Sequence, residues 1–356
     1  MNLFFDARYI RTDFHDGISR YTTELGNALA RLVPVTFIIS DKAQLKYLPD
    51  NTEYVIIHPV TSPKEPFASL VLNKYKPDIV VSPLQTIGSL GRRFKLVLTL
   101  HDLTYYKHRT PPPQYNHFLR IGWRLYHSSY VPQRLALNNA DLIATVSETV
   151  KQEIVAENLT KRPVIVVSNA ARNLSHYLKT VPTIVDKPKN LVYMGAFIPY
   201  KNVETLIEAM ELLPGRNLHL LSRINPKRKA QLRKLIPKNT NVIFHGGVSD
   251  EEYAKFLADD AVMVSASKAE GYGLPLAEAL TLGVPAVVSD LDIFREVGGS
   301  GALYANPDDP QSFAACISRL DDKKLRDELI AEGKRHIQKF SWDNSAHILL
   351  NAINKL

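Results

Sequence analysis

The sequence has 356 residues, of which 45% are hydrophobic and 22% are charged, proportions typical of soluble globular proteins. A chain of this length exceeds one ordinary core, so two domains are expected. The single cysteine, Cys316, excludes an intramolecular disulfide, and no apolar run approaches the roughly 20 residues that cross a bilayer. Asp6 falls too early for the apolar region of a signal peptide, so a cytoplasmic location is expected.

The first half of the chain alternates short apolar runs with helical patterns, as in parallel sheets built from βαβ units. A helix is predicted from Gly17 to Leu32, and Ser147 is predicted to cap another. Several predicted strands are apolar without alternation, as expected for strands buried on both faces. The predicted strands are Leu3–Phe5, Val35–Ile39, Tyr54–Ile57, Ile79–Ser82, Leu96–Leu100, Leu142–Val146 and Val164–Val167.

The net charge of +8 is concentrated in the first half, where residues 1–186 hold 22 Lys and Arg against 15 Asp and Glu. Residues 103–140 contain no acid, and basic and aromatic side chains alternate there. They are Lys107, Arg109, Arg120, Arg124 and Arg134, with Tyr115, Phe118, Trp123, Tyr126 and Tyr130. This mixture favours an anionic membrane surface or an anionic lipid-linked acceptor. The alternative is a packed core of Phe118, Ile121, Trp123 and Leu125 with arginines at its rim. No nucleic-acid motif accompanies the charge, so nucleic acid is not an expected partner.

The second half repeats the pattern after a linker at residues 174–189, which contains Pro182 and Pro188 and has no periodicity. Ser249 is followed by Asp250, Glu251 and Glu252, a cap with acids in the first helical turn. A last helix is predicted at about residues 343–354. The predicted strands are Leu191–Met194, Leu218–Leu221, Val242–Phe244, Val262–Val264 and Ala286–Val288.

The most informative segment is 267–290, in which Glu270 and Glu278 bracket a loop that leads into a helix. Gly271 and Gly273 remove side chains from this loop, so its backbone N–H groups can approach a ligand closely. Pro275 suits the first helical position, where no N–H is needed. The start of a helix offers unpaired N–H donors and a partial positive charge, which together form a seat for phosphate. A phosphate seat beside two carboxylates suits a sugar nucleotide.

This segment resembles the Glu-x7-Glu signature of retaining glycosyltransferase family 4, whose members have the GT-B fold. The resemblance continues in family order over nearly the whole chain. It includes Asp16-Gly17-Ile18-Ser19-Arg20-Tyr21, Thr99-Leu100-His101-Asp102-Leu103, Tyr193-Met194-Gly195-Ala196-Phe197-Ile198-Pro199-Tyr200-Lys201-Asn202, His245-Gly246-Gly247-Val248-Ser249-Asp250 and Phe340-Ser341-Trp342. It implies an α/β protein of two Rossmann-like, doubly wound domains that face a central cleft. The expected limits are 1–173 for an acceptor-side domain and 188–338 for a donor domain, with a helix at 341–356 crossing back onto the first.

The resemblance also implies roles for individual residues. Glu270 would hold hydroxyls of the donor hexose, Lys201 would neutralise the diphosphate, and His101 would contact the transferred sugar. Glu278 would accept from the ribose hydroxyls, Val248 belongs to the turn beside the base, and Gly17 would let the first loop approach the diphosphate. The backbone of Gly271, Tyr272, Gly273 and Leu274 would bind the sugar and diphosphate. No metal and no cofactor is expected, only a nucleotide diphosphate sugar as donor substrate.

The chain departs from the family where an arginine often follows the donor-loop glycine, because Ala196 stands there and Tyr200 precedes Lys201. Arg223 is our candidate for the missing charge. Each motif residue also has a simpler interpretation: Glu270 as a solvated loop acid, Glu278 as a first-turn acid of its helix, His101 as a core histidine, Lys201 as a surface lysine and Gly17 as a turn glycine.

The predicted function is a retaining transfer of a hexose from a nucleotide diphosphate sugar to a hydroxyl of a lipid-linked or glycan acceptor. GDP-mannose is the preferred donor, with UDP-hexose and dTDP-rhamnose as alternatives. The expected location is cytoplasmic, peripheral on the inner face of the membrane. The alternatives are a nucleotide-sugar epimerase or a phosphorylase on the same fold, a two-carboxylate glycosidase, and a non-catalytic nucleotide-sugar-binding protein.

Overall fold

Both halves of the chain fold around a parallel β-sheet. The computed structural model describes residues 1–13, 16–111, 117–179, 182 and 186–356. Tyr115 and part of the predicted linker lie outside these residues. One unit comprises Met1–Asn169 with Phe340–Leu356, and the other comprises Ala170–Lys339. The limits 1–173 and 188–338 drawn from the sequence stay predictions.

The first unit has the strand order β3-β2-β1-β4-β5-β6-β7, with every pair parallel. Its central strands are apolar and buried along their length, as expected where helices cover both faces. The strands are β1 (Leu3–Asp6), β2 (Thr36–Ile39), β3 (Glu53–Ile56), β4 (Ile79–Ser82), β5 (Lys95–Leu100), β6 (Leu142–Thr145) and β7 (Val164–Val166).

Two helices of the first unit begin at short polar side chains that cap them. Asp16 accepts from the backbone N–H of Ser19 at 2.8 Å, and Ser147 accepts from that of Val150 at 3.1 Å. The second of these is the cap predicted from the sequence. The helices are α1 (Gly17–Ala30), α2 (Ala68–Leu72), α3 (Thr104–Lys107), α4 (His117–Tyr126), α5 (Val131–Asn138) and α6 (Glu148–Ala156).

The second unit has the order β10-β9-β8-β11-β12-β13, again with parallel pairs. Its core is one cluster of buried aliphatic and aromatic side chains from both layers, including Val264, Val287 and Phe313. The strands are β8 (Asn190–Tyr193), β9 (Asn217–Leu220), β10 (Asn241–Phe244), β11 (Ala261–Ser265), β12 (Ala286–Ser289) and β13 (Leu303–Ala305).

Helices of the second unit alternate with these strands. Ser249 and Glu252 form a reciprocal capping box at the start of α9, as the sequence predicted. The helices are α7 (Val203–Ala209), α8 (Pro226–Arg233), α9 (Asp250–Ala258), α10 (Leu274–Leu282), α11 (Asp292–Gly298), α12 (Pro310–Arg319) and α13 (Lys323–Ile337).

The last helix, α14 (Trp342–Ile353), packs in the first unit along α1. Ser345 Oγ donates to the carbonyl of Ser168 at 2.7 Å, and Arg31 pairs with Asp343 at 2.5 Å. The Trp342 ring meets the buried Tyr21 ring edge-on, with centroids 5.8 Å apart. Among the described residues, no helix combines the length and apolarity needed to cross a membrane.

Candidate donor and acceptor sites

In each sheet the strand order reverses beside the first strand of the unit. Parallel sheets of this kind bind ligands beyond the carboxyl ends of their strands at this reversal. In the second unit the reversal lies between β8 and β11. The loops at 194–202 and 266–273 follow these two strands, and the Lys268 N–H donates to the Tyr200 carbonyl at 2.8 Å. The topology and this bond therefore bring both predicted donor loops to one edge of the sheet.

Lys201 and Glu270 meet at that edge. The Lys201 Nζ lies 2.5 Å from Glu270 Oε1, and the two side chains are 19% and 15% exposed. These values contradict the simpler interpretations, a solvated loop acid and a surface lysine. The Coulomb attraction within a partly buried ion pair is screened less by solvent than that of an exposed pair. Because a three-residue 3-10 turn, Pro199–Lys201, precedes α7, Lys201 is held at the start of that helix.

The loop after Glu270 turns into α10 through Gly273, which has φ of +97°. A side chain there would be strained, and its Cβ would lie 2.7 Å from the ring of the buried Phe294. Leu274 is the first helical residue, so Pro275 occupies the second position and not the first as predicted. Tyr272 is 4% exposed as a whole residue, and its role in ligand binding stays a prediction. Pro275 has no N–H, and the N–H groups of Leu276 and Ala277 donate to the Gly273 carbonyl at 3.0 and 3.2 Å. Within α10 this leaves the N–H of Leu274 and the helix dipole to favour an anion.

Glu278 lies in the second turn of α10, and its side chain is 4% exposed. The first-turn interpretation is therefore wrong. Arg172 Nε donates to Glu278 Oε1 at 2.7 Å, and the same guanidinium pairs with Asp250. Burial raises the pKa of Glu278 to about 7, while the positive charge of Arg172 lowers it.

The predicted base-contacting turn follows β10. Gly246 and Gly247 have φ of +78° and +112°, and a Cβ on Gly247 would lie 2.7 Å from Arg223 Cγ. The aliphatic stem of Arg223 therefore lies against this turn at Gly247, the residue before Val248. The Gly195 N–H donates to Ser222 Oγ at 3.0 Å, which ties the β8 loop to the residue before Arg223.

In the first unit His101 directly follows β5, and its Nε2–H donates to the Pro83 carbonyl at 2.7 Å. The proton on Nε2 is assigned from this bond, because a carbonyl oxygen can only accept. The Tyr21 ring packs edge-on against the imidazole, with centroids 4.7 Å apart. Burial lowers the pKa of His101 below its ordinary value of 6.5. A neutral ring with Nδ1 as an acceptor follows.

Gly17 is the first residue of α1 and is exposed. Its helix follows β1, the strand at which the order of the first sheet reverses. Asp16 caps this helix and also pairs with Arg11 at 3.1 Å. The position of Gly17 at an exposed helix start is compatible with close approach of a phosphate, and its role stays a prediction.

Two domain models cover most of the chain. The model described as Glycosyltransferase Family 4 matches residues 15–171, and that described as Glycosyl transferases group 1 matches residues 178–336. The chain belongs to the family 4 glycosyltransferases. The predicted family and enzyme class are thereby confirmed, while the roles given to individual site residues stay predictions.

Several curated relatives of this glycosyltransferase are named for mannosyl transfer, two of them O-antigen chain mannosyltransferases. O-antigen chain mannosyltransferase B of Escherichia coli is 29% identical over 281 residues, which cover 74% of this chain and 71% of the relative. O-antigen chain mannosyltransferase RfbU of Salmonella typhimurium is 24% identical over 357 residues, which cover 94% of this chain and 95% of the relative.

Among solved structures, the glycosyltransferase superposes on Anabaena HepE in complex with UDP and glucose. The TM-score is 0.71 at 17% identity, and each chain is covered completely. At this identity the likeness concerns the fold alone. Together with the two parallel sheets, it confirms the predicted GT-B class of two Rossmann-like α/β domains.

The surface of α4 in the glycosyltransferase contradicts the packed-core alternative. Phe118, Leu125 and Ile121 are 82%, 68% and 44% exposed, and α4 has no buried residue. The Trp123 side chain lies on the opposite face of α4, where its ring stacks on that of His127 with centroids 4.0 Å apart. The exposed apolar side chains recur every three or four residues and so form one stripe.

Two arginines near the donor loops were not singled out from the sequence. Arg172 lies 106 residues from Glu278, and no local pattern links the two. Arg228 Nε donates to the Phe197 carbonyl at 3.1 Å, and its guanidinium also pairs with Glu204. It therefore lies against the loop that carries Ala196, where the family's usual arginine is missing. The Asn225 cap followed by a Pro-Lys-Arg helix start was the available signal for Arg228.

Proposed function

We propose that this glycosyltransferase transfers mannose from GDP-mannose, with retention of anomeric configuration, to a hydroxyl of a lipid-linked or glycan acceptor. The observation that carries the proposal is the Lys201–Glu270 pair, half-buried at the reversal of the second sheet beside the start of α10. The two O-antigen relatives named as mannosyltransferases support the choice of sugar.

The chemistry follows from the charge that develops as the sugar leaves. The bond from the anomeric carbon to the diphosphate oxygen breaks, and the acceptor oxygen bonds to the same face of that carbon. The acceptor proton passes to the departing diphosphate, so no protein base and no metal is invoked. Lys201, the N–H of Leu274 and the dipole of α10 stabilise the negative charge of the diphosphate. Glu270 accepts from hydroxyls of the hexose.

In this scheme Glu278 accepts hydrogen bonds from the ribose hydroxyls, and the turn at Val248 contacts the base. A paired-carboxylate hydrolysis is disfavoured because Glu278 is nearly buried and bonded to Arg172. Arg223 is the residue that compensates for Ala196, because the charge of Arg228 is paired with Glu204. His101, neutral with Nδ1 as acceptor, receives a hydrogen bond from a hydroxyl of the transferred sugar.

The acceptor side is the basic first half of the chain. Arg120 and Arg124 lie on α4 beside the apolar stripe of Phe118, Ile121 and Leu125, and within the described residues neither arginine forms an ion pair. Lys107 pairs with Glu153, and Arg134 donates to backbone carbonyls, so the charge available to a surface is that of α4. An apolar stripe flanked by arginines fits the headgroup boundary of an anionic membrane. Peripheral attachment on the cytoplasmic face would bring the enzyme to a lipid-linked acceptor.

The donor is tested by thermal shift with GDP, UDP and dTDP, followed by incubation with the matching sugar nucleotide. GDP should raise the melting temperature most, because a ligand that binds only the native state stabilises it. GDP-mannose should then be consumed only when acceptor is present, and NMR of the product should show the donor's anomeric configuration. The UDP arm is needed because HepE was solved with UDP.

Other results of the same assay would replace the proposal. A shift with UDP or dTDP alone would change the donor, and nucleotide binding without turnover would indicate a non-catalytic binding protein. Conversion of the donor without acceptor would indicate an epimerase. Inverted configuration in the product would contradict the retaining course.

The membrane surface is tested by sedimentation with vesicles of anionic and of zwitterionic lipid. Arg120→Glu with Arg124→Glu should weaken sedimentation with anionic vesicles, and Phe118→Ser with Leu125→Ser should also weaken it without changing the charge. Lys227→Glu with Lys234→Glu is the matched control, because both lysines are exposed and lie in the second unit. Unchanged sedimentation of the double arginine variant would remove the membrane from the proposal.

A further inference from the structure

Arg172 links two elements of the second unit that the chain separates widely. Its Nε donates to Glu278 Oε1 on α10 at 2.7 Å, and its Nη1 pairs with Asp250 at the start of α9. The Arg172 side chain is 17% exposed, against 4% for Glu278 and 44% for Asp250. The guanidinium thus reaches from a solvated acid to a buried one.

Glu278 is the buried acid, and the proposed function assigns it to binding the ribose hydroxyls. A carboxylate enclosed by protein tends to become protonated, because the charged form loses hydration. The ionisable groups that face Glu278 are Arg172, Asp250 and Tyr253. Arg172 alone among these three is cationic, and Asp250 acts against the ionised form.

The protonation state matters for recognition of a diol. An ionised carboxylate is an acceptor only and can receive hydrogen bonds from both ribose hydroxyls, whereas the protonated acid loses part of this capacity. Hydrogen bonds to a charged acceptor are also about twice as strong as neutral ones. Ribose binding near pH 7 therefore depends on what keeps Glu278 ionised and fixes its orientation.

We propose that Arg172 is a positioning residue of the donor site, which holds Glu278 ionised and oriented for the ribose hydroxyls of the donor nucleotide. This inference rests on the proposed function, because it deepens the role given there to Glu278. Arg172 does not touch the donor and acts through Glu278. The alternative is an ion pair that only joins α9 to α10, and pH distinguishes the two.

The experiment measures the dissociation constants of GDP, UDP and inorganic diphosphate from pH 6 to pH 9 by calorimetry. The proteins are the wild type, Arg172→Gln, Arg172→Lys and Glu278→Gln, with a melting curve for each. Inorganic diphosphate is the matched probe, because it keeps the phosphates and lacks the ribose. Arg172→Lys keeps the charge if removal of the arginine impairs folding.

Arg172→Gln should bind the preferred nucleotide about fivefold more weakly at pH 7, because a rise of one unit in the pH at which Glu278 ionises, from about 7, lowers its ionised fraction from about one half to about one tenth. The loss should shrink towards pH 9, where Glu278 ionises without help. Arg172→Lys should stay near the wild type, and all variants should bind inorganic diphosphate equally.

Two outcomes would overturn the positioning role while leaving the proposed function standing. One is a loss of the same factor at every pH, as for a purely structural ion pair. The other is an equal loss for inorganic diphosphate, which would place Arg172 on the phosphates. Normal nucleotide binding by Glu278→Gln, or no nucleotide binding by the wild type, would instead refute the proposed function and this inference with it.

Discussion

The Lys201 Nζ lies 2.5 Å from Glu270 Oε1, so the cation expected at the diphosphate and the acid expected at the hexose contact each other directly. The two residues come from different loops, 69 positions apart. They meet because β8 and β11 are neighbours at the reversal of a parallel sheet. Both charged side chains are therefore already positioned for a donor that binds between them. This limits the reorganisation of the protein that binding requires.

The pair gives the first prediction. Glu270→Ala should abolish transfer while leaving the fold intact, and Lys201→Met should lower kcat by about 10²- to 10³-fold, the usual loss when one preorganised charge-stabilising group is removed. Steady-state kinetics with the preferred donor check both variants. Lys227→Met, which removes an exposed lysine from the same unit, is the control. Near-normal activity of Glu270→Ala would contradict the donor site.

Much of the fold was predictable because parallel strands buried on both faces leave continuous apolar runs. Every predicted strand is present, with ends that differ by at most one residue. The strand β13, Leu303–Ala305, was not predicted, because three residues give no period that distinguishes strand from loop. Helix caps at Ser147 and Ser249 were also predicted correctly, since capping depends on local sequence.

Side-chain surroundings were less predictable. The exposure of Phe118 and Leu125 depends on which face of α4 meets its neighbours, and the apolar pattern alone fits a packed or a solvated face. The Arg172–Glu278 contact depends on tertiary structure, and no short motif encodes it. The burial that raises the pKa of Glu278 to about 7 is equally invisible in the Glu-x7-Glu spacing.

The second prediction concerns the glycine before α10. Gly273→Ala should weaken nucleotide binding and destabilise the protein by roughly 1–3 kcal/mol, because it imposes a strained backbone at φ of +97° and a contact with Phe294. Gly215→Ala is a matched control, since φ is +78° there, nothing lies within 4 Å of an added Cβ, and the residue lies outside the donor loops. Chemical denaturation and nucleotide titration measure both effects. Equal losses in the two variants would mean that the Phe294 contact contributes nothing.

The third prediction concerns Glu278 and pH. Its folded pKa of about 7 lies above the ordinary value of 4.5, so the unfolded state ionises first and stability is lost as the pH rises from about 4.5 to 7. The wild type should therefore lose about 3 kcal/mol relative to Glu278→Gln over this window. Denaturant unfolding of both proteins at pH 4.5, 6 and 8 measures the difference. A constant difference across these pH values would contradict the raised pKa.

The last prediction concerns His101, whose Nε2–H is committed to the Pro83 carbonyl and whose Nδ1 is the acceptor that we propose for a hydroxyl of the sugar. His101→Gln can preserve the bond to Pro83, since its amide nitrogen replaces Nε2, but it has no acceptor in place of Nδ1. It should keep the wild-type melting temperature and lose about 10- to 100-fold in kcat. His101→Ala, which loses both bonds, should also melt lower.

The pH dependence of His101 follows from the same geometry. Because its pKa is lowered below 6.5, the ring is neutral at and above that pH and becomes charged only in more acidic solution. Protonation occupies Nδ1, so the wild-type kcat should fall on the acid side of pH 6.5, and stability should fall in the same direction because the unfolded histidine protonates more readily. The kcat profile of His101→Gln should lack this acid limb. A limb that persists in His101→Gln would assign it to another group and remove the acceptor role from His101.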